Sequence, residues 1–138
     1  MAKTVLVDSG PIVAALLQRD QHHRWARAHF EASAEPFVTC EAVISESLFL
    51  LERARDGREA LCGLLERGIV AVDFSFASQI VETLRLIRRY NDTPMSFADA
   101  CLVRMAERGE NIVILTTDSD FRTYRRNGRQ VIPLLMPK

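Results

Sequence analysis

Short apolar runs alternate with longer amphipathic stretches along the whole chain. The runs predict short strands, because a strand that is covered on both faces is apolar at nearly every position. Such strands are predicted at residues 3–7, 37–39, 69–72, 112–115 and 131–134. Pro133 lies in the last of them, and a proline, which cannot donate to a ladder, indicates an edge strand.

The intervals between the runs carry apolar side chains three and four positions apart, the spacing of a helix with one buried face. Helices are predicted at about 10–18, 22–33, 41–54, 58–67, 76–89 and 96–107, with a short helix between Asp118 and Arg126 and a turn at Asn127 and Gly128. Thr39 is expected to cap the helix that begins near residue 41. Strands that alternate with helices predict an α/β fold, a three-layer α/β/α sandwich around a mostly parallel sheet.

The length of 138 residues suits one domain over residues 1–138. Hydrophobic content of 48% and charged content of 26% are ordinary for a soluble globular protein. No apolar run approaches the roughly 18 residues of a membrane span, so no membrane association is expected. The first predicted strand begins near residue 3, which leaves no room for a signal peptide. We therefore expect a cytoplasmic protein.

Several common types of site find no support in the sequence. The three cysteines have no Cys-x-x-Cys spacing, so neither a zinc knuckle nor a disulfide framework is indicated. His22, His23 and His29 lack the spacing of an HExxH metal site. Neither Ser9 nor Cys40 lies in a GxSxG turn or has a histidine partner that spacing identifies. The formal net charge of zero gives no bulk argument for nucleic-acid binding.

Four acidic residues end an apolar strand or interrupt an apolar stretch: Asp8, Glu46, Asp99 and Asp118. Carboxylates that converge in such places repel one another and take up protons unless a cation binds. Hard cations such as Mg²⁺ and Mn²⁺ take oxygen ligands and remove this repulsion. Asp8 and Asp118 follow the first and fourth strands, so both lie at one edge of the sheet if these strands are neighbours. The acids predict a metal site, provided that they meet.

Single acids of this set also have structural interpretations. Asp8 suits the N-terminus of the first helix, and Asp118 suits the N-terminus of the short helix that follows it. Ser96 and Asp99 have the spacing of a capping box. Glu46 has no basic residue three or four positions away, so a helix-surface ion pair does not explain it.

The four acids lie in segments whose neighbouring residues are also informative: Val7–Pro11, Ser45–Leu51, Met95–Ala100 and Leu115–Phe121. In order and in flanking residues, these segments resemble the PIN-domain family, specifically its small VapC-like branch, the toxins of prokaryotic toxin–antitoxin systems. They span almost the whole chain. The resemblance implies a five-stranded parallel sheet with strand order 3-2-1-4-5, in which the first and fourth strands are neighbours.

The activity that this resemblance implies is the hydrolysis of RNA phosphodiester bonds by a metal-dependent endoribonuclease. Asp8, Glu46, Asp99 and Asp118 are then expected to form one acidic pocket. Mg²⁺ or Mn²⁺ is expected at Asp8, Asp99 and Asp118, with Glu46 as a further ligand or as the base that orients water.

Further residues are expected around the pocket. The resemblance implies that Thr116 assists by hydrogen bonding and that Asp120 and Ser9 are auxiliary members. Basic residues near the end of the chain are expected to hold RNA phosphates, although a solvated surface explains them equally well. These residues are Arg122, Arg125 and Arg126.

The resemblance also implies partners other than the RNA substrate. Toxins of this branch are usually homodimers that a cognate antitoxin inhibits, its disordered tail wrapping around helices of the toxin. The apolar helices at 11–17 and 43–54 are candidates for the groove that holds such a tail, although packing in the core explains them equally well.

Two other classes of protein with clustered acids do not fit the sequence. A receiver-like domain needs an acid pair near the first strand and a lysine after the last, whereas Lys3 and Lys138 lie elsewhere. A haloacid-dehalogenase-type phosphatase needs Asp-x-Asp after the first strand, and Gly10 takes the place of the second acid. Two alternatives within the family stay open: a non-catalytic PIN module that binds RNA or protein, and a housekeeping PIN nuclease without an antitoxin.

Overall fold

The computed structural model describes residues 3–138 of the chain, and its strands and helices alternate. The strands are β1 (Thr4–Val7), β2 (Phe37–Thr39), β3 (Val70–Val72), β4 (Ile112–Leu115), β5 (Arg125–Arg126), β6 (Gln130–Val131) and β7 (Leu134–Leu135). The α-helices are α1 (Ser9–Leu16), α2 (His23–Ala32), α3 (Glu41–Leu50), α4 (Gly57–Glu66), α5 (Ile80–Arg89) and α6 (Phe97–Ala106). None of the helices within residues 3–138 has the length and apolar character needed to cross a membrane.

Five of the strands form one parallel sheet in the order β3-β2-β1-β4-β7, and helices flank it. Its central strand, β1, pairs with β4 along the whole length of both, from Thr4 opposite Ile112 to Val7 opposite Leu115. The prediction of an α/β fold is therefore confirmed. The predicted order 3-2-1-4-5 is confirmed as well when only the strands of this sheet are numbered along the chain.

The centre of the molecule is formed by the two middle strands and by α6. Leu6 and Val7 of β1 and Ile114 and Leu115 of β4 are fully buried. Helix α6 is apolar on nearly all sides and is buried at eight of its ten positions, as expected of a helix that is surrounded by protein. The carboxylate on this helix, that of Asp99, is therefore held in an apolar part of the molecule.

The predicted last strand, residues 131–134, is wrong in its position. Val131 instead pairs antiparallel with Arg125 in a β5–β6 hairpin. The predicted turn at Asn127 and Gly128 connects its strands, with φ of 51° and 82°, as a tight hairpin turn requires. The edge strand of the sheet is β7, which begins after Pro133 and pairs with Ile114 and Leu115 of β4. The apolar run is thus divided between two sheets.

The predicted helix cap at Thr39 is also wrong. The Thr39 hydroxyl donates to the carbonyl oxygen of Val7 on the neighbouring strand at 2.7 Å, and Cys40 is the N-cap residue of α3. Helix α3 ends at Leu50, earlier than the predicted position near 54. Turns follow it and lead to Asp56 in the left-handed conformation, with φ of 61°.

Candidate active site

The carboxyl ends of β1 and β4 carry the first two members of the site. Because Val7 and Leu115 are paired, the next residues of the two strands, Asp8 and Thr116, lie side by side. The Asp8 amide continues the ladder by donating to the Leu115 carbonyl at 3.0 Å. The Thr116 hydroxyl donates to Oδ2 of Asp8 at 2.7 Å. Both residues are buried, so this hydrogen bond is shielded from water.

Asp118 is connected to the same hydroxyl through its backbone. Its amide donates to Oγ1 of Thr116 at 3.0 Å. Its own Oδ1 accepts from the amide of Asp120 at 2.9 Å, at the start of a short 3₁₀ helix, Ser119–Arg122. Asp118 and Asp120 are both half-buried. One run of hydrogen bonds therefore links Asp8, Thr116, Asp118 and Asp120.

Asp99 lies at the start of α6, where it forms a capping box with Ser96. The Asp99 amide donates to the Ser96 hydroxyl at 3.0 Å, and the Ser96 amide donates to Oδ2 of Asp99 at 3.4 Å. The same Oδ2 accepts from the Tyr124 hydroxyl at 2.8 Å. Only 6% of the Asp99 surface is exposed, so its carboxylate depends on these protein donors.

Glu46 projects from α3 and is half-buried. Its Oε1 accepts a hydrogen bond from the hydroxyl of Ser9, the first residue of α1. Ser9 is buried, and its amide donates to Oδ1 of Asp8 at 2.8 Å. Ser9 therefore contacts two of the four acids, Asp8 through its amide and Glu46 through its hydroxyl.

The two buried acids of the site, Asp8 and Asp99, have raised pKa values. Burial raises the pKa of Asp8 to about 7, with smaller upward contributions from the charges of Asp99 and Glu46. Hydrogen bonds from Thr116 and Ser9 act in the opposite direction but do not offset the burial. Burial also raises the pKa of Asp99, and the charge of Asp118 adds to it. Electrostatic interactions therefore connect Asp8 to Glu46 and to Asp99, and Asp99 to Asp118.

The chemistry of this donor set fits a divalent cation. A buried carboxylate with two carboxylate neighbours is costly to ionise, and a hard cation that takes oxygen ligands removes that cost. The residues that could hold such an ion are Asp8, Asp99 and Asp118, with Glu46 at the edge. Among residues 3–138, however, no three Asp, Glu, His or Cys side chains are already grouped closely enough to ligate one ion.

The structural interpretations of the acids hold alongside this arrangement. Asp8 caps α1 by accepting from the Ser9 amide, Asp118 caps the 3₁₀ helix, and Asp99 completes its capping box. Each of these interactions occupies one carboxylate oxygen of its residue. Capping therefore orients the three acids at the helix starts.

The three arginines suggested for RNA contact differ in position. Arg122 is exposed, whereas Arg125 is half-buried and its NH1 donates to the carbonyl oxygens of residues 122–124. Arg126 is buried, and its guanidinium donates to the carbonyls of Gly109 and Glu110 at 3.3 and 3.5 Å. Arg122 is thus exposed to solvent, whereas Arg126 makes hydrogen bonds inside the protein.

Tyr124 was not suggested by the sequence, although its hydroxyl contacts the site directly. The residue is fully buried and donates to Asp99, which lies 25 positions earlier in the chain. Burial and the neighbouring Asp99 raise its pKa well above the usual range, so it remains a hydrogen-bond donor at neutral pH. An aromatic residue after an acidic loop carries no local signal of such a contact.

Comparisons with known proteins agree with this architecture. A family model described as PIN domain matches residues 5–127. A crystal structure of VapC20 from Mycobacterium tuberculosis, described as a Sarcin-Ricin loop cleaving toxin, superposes with a TM-score of 0.77 at 19% sequence identity. The similarity covers 87% of this chain and 94% of VapC20. At this identity the likeness establishes the fold. A search of curated proteins found no match.

Proposed function

The chain belongs to the PIN domain family, and on this basis we propose that it is an endoribonuclease that hydrolyses RNA phosphodiester bonds with Mg²⁺ or Mn²⁺. The observation that carries the proposal is the environment of Asp8. Its buried carboxylate has a pKa of about 7, and the acids Asp99 and Glu46 both raise it. A bound cation would offset the negative charge that these acids bring together.

In this proposal Asp8, Asp99 and Asp118 hold the metal ion. When bound, such an ion lowers the pKa of a coordinated water and neutralises charge that develops on the phosphate. The protein's own contribution is to hold the carboxylates in place before the substrate arrives. Thr116 does so for Asp8, and the amide of Asp120 does so for Asp118. Asp120 and Thr116 are thus auxiliary members of the site.

Glu46 is proposed to orient the attacking water and to accept its proton. It is half-buried at the edge of the acidic group, where one carboxylate oxygen accepts from Ser9. That hydrogen bond restricts the rotation of the side chain. A base must lie within hydrogen-bond reach of the proton that it removes. Ser9 is therefore proposed as the residue that positions this base.

RNA is proposed as the substrate on two grounds. The acidic group suits phosphodiester hydrolysis assisted by a metal ion, and VapC20, whose fold this chain shares, is described as a toxin that cleaves the Sarcin-Ricin loop. Arg122 is exposed in the loop that carries Asp118 and Asp120, so it is the proposed contact for an RNA phosphate. Arg125 is a second contact only if its guanidinium leaves the backbone carbonyls that it now contacts.

A cleft between the end of α1, α2 and the turns after α3 is the proposed site for an antitoxin. It has a volume of about 990 Å³, and only the ends of the two segments suggested for this role line it, Ala15–Leu17 of 11–17 and Arg53 and Ala54 of 43–54. Its apolar lining includes Leu16, Leu17 and Ala54. Five arginines and one glutamate line its sides: Arg19, Arg24, Arg27, Arg53, Arg55 and Glu31. The partner is therefore proposed to be an acidic segment with apolar side chains.

An apolar surface next to Glu46 is the proposed homodimer interface. Phe49 of α3 is 69% exposed and Phe97 at the start of α6 is 45% exposed. Both line one shallow cleft, together with Ala42 and Ala98. Large exposed aromatic side chains that are grouped in this way mark interaction surfaces.

The principal test is an RNase assay with purified protein and structured RNA. We expect cleavage with Mn²⁺ or Mg²⁺, none with EDTA, and recovery when the metal is restored. Asp8→Asn should reduce the rate by at least about 100-fold, since removing a charged ligand removes an interaction on which the transition state depends. Asp92→Asn, which changes an exposed acid in a turn, is the matched control and should leave the rate unchanged.

Different outcomes separate this proposal from its alternatives. A wild-type protein that binds RNA without cleaving it at any metal concentration supports a non-catalytic PIN module. Cleavage by wild type and by Asp8→Asn at equal rates overturns the assignment of the site. A second readout is the growth of host cells that express the wild type. If growth is arrested, and if Asp8→Asn abolishes this arrest and so does co-expression of an acidic protein encoded immediately upstream in the genome, the result supports a cytoplasmic toxin of a toxin–antitoxin pair. Cleavage without growth arrest supports a housekeeping nuclease.

A further inference from the structure

Tyr124 is a fully buried residue whose only polar group points at the acidic site. It lies just after the 3₁₀ helix of Asp118 and Asp120, and its hydroxyl donates to Oδ2 of Asp99 at 2.8 Å. The hydrogen bond thus joins the loop after β4 to the start of α6. Both ends of the bond are buried, so water does not replace either partner.

The ring of Tyr124 is held by neighbouring aromatic side chains. Its centroid lies 5.2 Å from that of Phe121 and 5.1 Å from that of Tyr90, with interplanar angles of 83° and 67°. Such edge-to-face contacts fix the orientation of a ring. The Tyr90 hydroxyl, in turn, accepts from the amide of Arg125 at 3.0 Å. The position of the Tyr124 hydroxyl is therefore determined by packing before any ligand binds.

We infer that Tyr124 is a positioning residue, which sets the plane of the Asp99 carboxylate for a metal ion and keeps the Asp118 loop against α6. This inference rests on the proposed function. Asp99 alone has a freely rotating carboxylate plane, because terminal torsions of this kind are broad. Two donors on Oδ2, from Tyr124 and Ser96, restrict that rotation. The direction in which the other oxygen faces is then fixed as well.

The test replaces one hydroxyl and keeps the ring. Tyr124→Phe should raise the Mn²⁺ concentration for half-maximal cleavage by about 10-fold, the lower end of the effect of removing an outer partner of a metal ligand. At saturating Mn²⁺ the rate should return close to that of wild type. Independently of activity, the rise in Tm that Mn²⁺ produces should need a similarly higher metal concentration.

Tyr90→Phe is the matched control, because it removes a hydroxyl from the adjacent buried ring without touching Asp99. It should lower Tm while leaving the Mn²⁺ dependence unchanged. In the Asp99→Asn background, Tyr124→Phe should cause no further change in the Mn²⁺ dependence of Tm. If Tyr124→Phe and Tyr90→Phe both lower Tm and neither changes the Mn²⁺ dependence, Tyr124 has only a structural role and the inference is overturned.

The outcomes also distinguish the two proposals. If wild type neither cleaves RNA nor gains stability from Mn²⁺ or Mg²⁺, the proposed function and this inference both fail. If wild type cleaves RNA and gains stability from the metal, and Tyr124→Phe has the same metal dependence as wild type, only the role of Tyr124 is overturned. If the dependence changes equally in Tyr90→Phe, the aromatic packing rather than the hydroxyl is responsible, which also overturns it.

Discussion

The Thr116 hydroxyl donates to Oδ2 of Asp8 at 2.7 Å, although 108 positions separate the two residues. The same oxygen atom of Thr116 accepts from the amide of Asp118. The in-register pairing of β1 with β4 is the cause, because it brings the residues that follow Val7 and Leu115 side by side. One hydroxyl therefore connects the acid after the first strand to the acid after the fourth.

Thr116→Val is expected to destabilise the protein by about 1.5–3 kcal/mol at about pH 8, since it removes a hydrogen bond to an ionised carboxylate. It also leaves the Asp118 amide without its acceptor. Thr83→Val is the matched control. Thr83 is equally buried, and its hydroxyl has no hydrogen-bond partner within residues 3–138. That change should be neutral or stabilising. Urea denaturation measures both, and equal effects would contradict the role of Thr116.

The pH dependence of stability should reveal the buried carboxylate of Asp8. Its pKa is about 7 in the folded protein against 3.8 in the reference state. Between these values the folded state binds more protons than the unfolded state, so this group makes stability fall as pH rises from about 4 to about 7. The raised pKa of Asp99 acts in the same direction.

Asp8→Asn should remove most of this slope, because an amide does not titrate. In EDTA the variant should be more stable than wild type above about pH 7, by up to about 4 kcal/mol, with a smaller difference near pH 5. Thermal unfolding at both pH values measures the difference. Asp92→Asn should follow wild type at each. If stability depends on pH in the same way in Asp8→Asn and in wild type, the pKa of Asp8 is not raised in the folded protein.

Gly10→Ala should impair the site through steric contact. A Cβ at this position would lie 2.1 Å from Oγ1 and 3.3 Å from Cβ of Thr117, the neighbour of Thr116. The Thr117 side chain must then rotate or its loop must shift, and such overpacking costs about 1–3 kcal/mol. We expect a lower RNase rate together with a lower Tm.

Gly63→Ala is the control for this change, because its added Cβ would meet only Arg67, at 3.7 Å. Alanine inside α4 should stabilise the protein by roughly 0.5–1 kcal/mol and leave cleavage unchanged. Normal cleavage by Gly10→Ala would show that the site tolerates movement of the Thr117 loop.

Phe49→Glu should dissociate the proposed homodimer. It places a charge on a side chain that is 69% exposed and that is proposed to be covered by the second copy. Val131→Glu changes a side chain of similar exposure, 67%, on the β5–β6 hairpin and should leave the dimer intact. Sedimentation velocity distinguishes the two. A wild type that is monomeric at every concentration, or dimers in both variants, would contradict this interface.

Local patterns were sufficient for most of the elements. Four of the five predicted strands match β1 to β4 within one residue at each end, since buried strands need continuous apolar runs. The capping box of Ser96 and Asp99 and the turn at Asn127 and Gly128 were also predicted correctly. These features depend on backbone and side-chain interactions a few residues apart.

The wrong predictions concern residues whose interaction partners are distant in the sequence. The Thr39 hydroxyl contacts a carbonyl on β1 instead of the nearby helix, because that strand is adjacent to it in the sheet. The last apolar run is divided because Val131 pairs in a hairpin while Leu134 pairs with β4. Arg126 is buried because two backbone carbonyls accept its guanidinium. Nothing in the neighbouring sequence distinguishes these cases.

The sequence alone determined most of the strands and helices and the helix caps of Asp8, Asp99 and Asp118, because periodicity and capping act over one turn of the chain. The parallel pairing of β1 with β4, which the resemblance implied, brings Asp8 beside Thr116. Only the tertiary structure decided that Ser9 contacts Glu46 and that Tyr124 contacts Asp99. Hydrogen bonds between residues so far apart in sequence depend on how helices pack on the sheet, which no local pattern specifies.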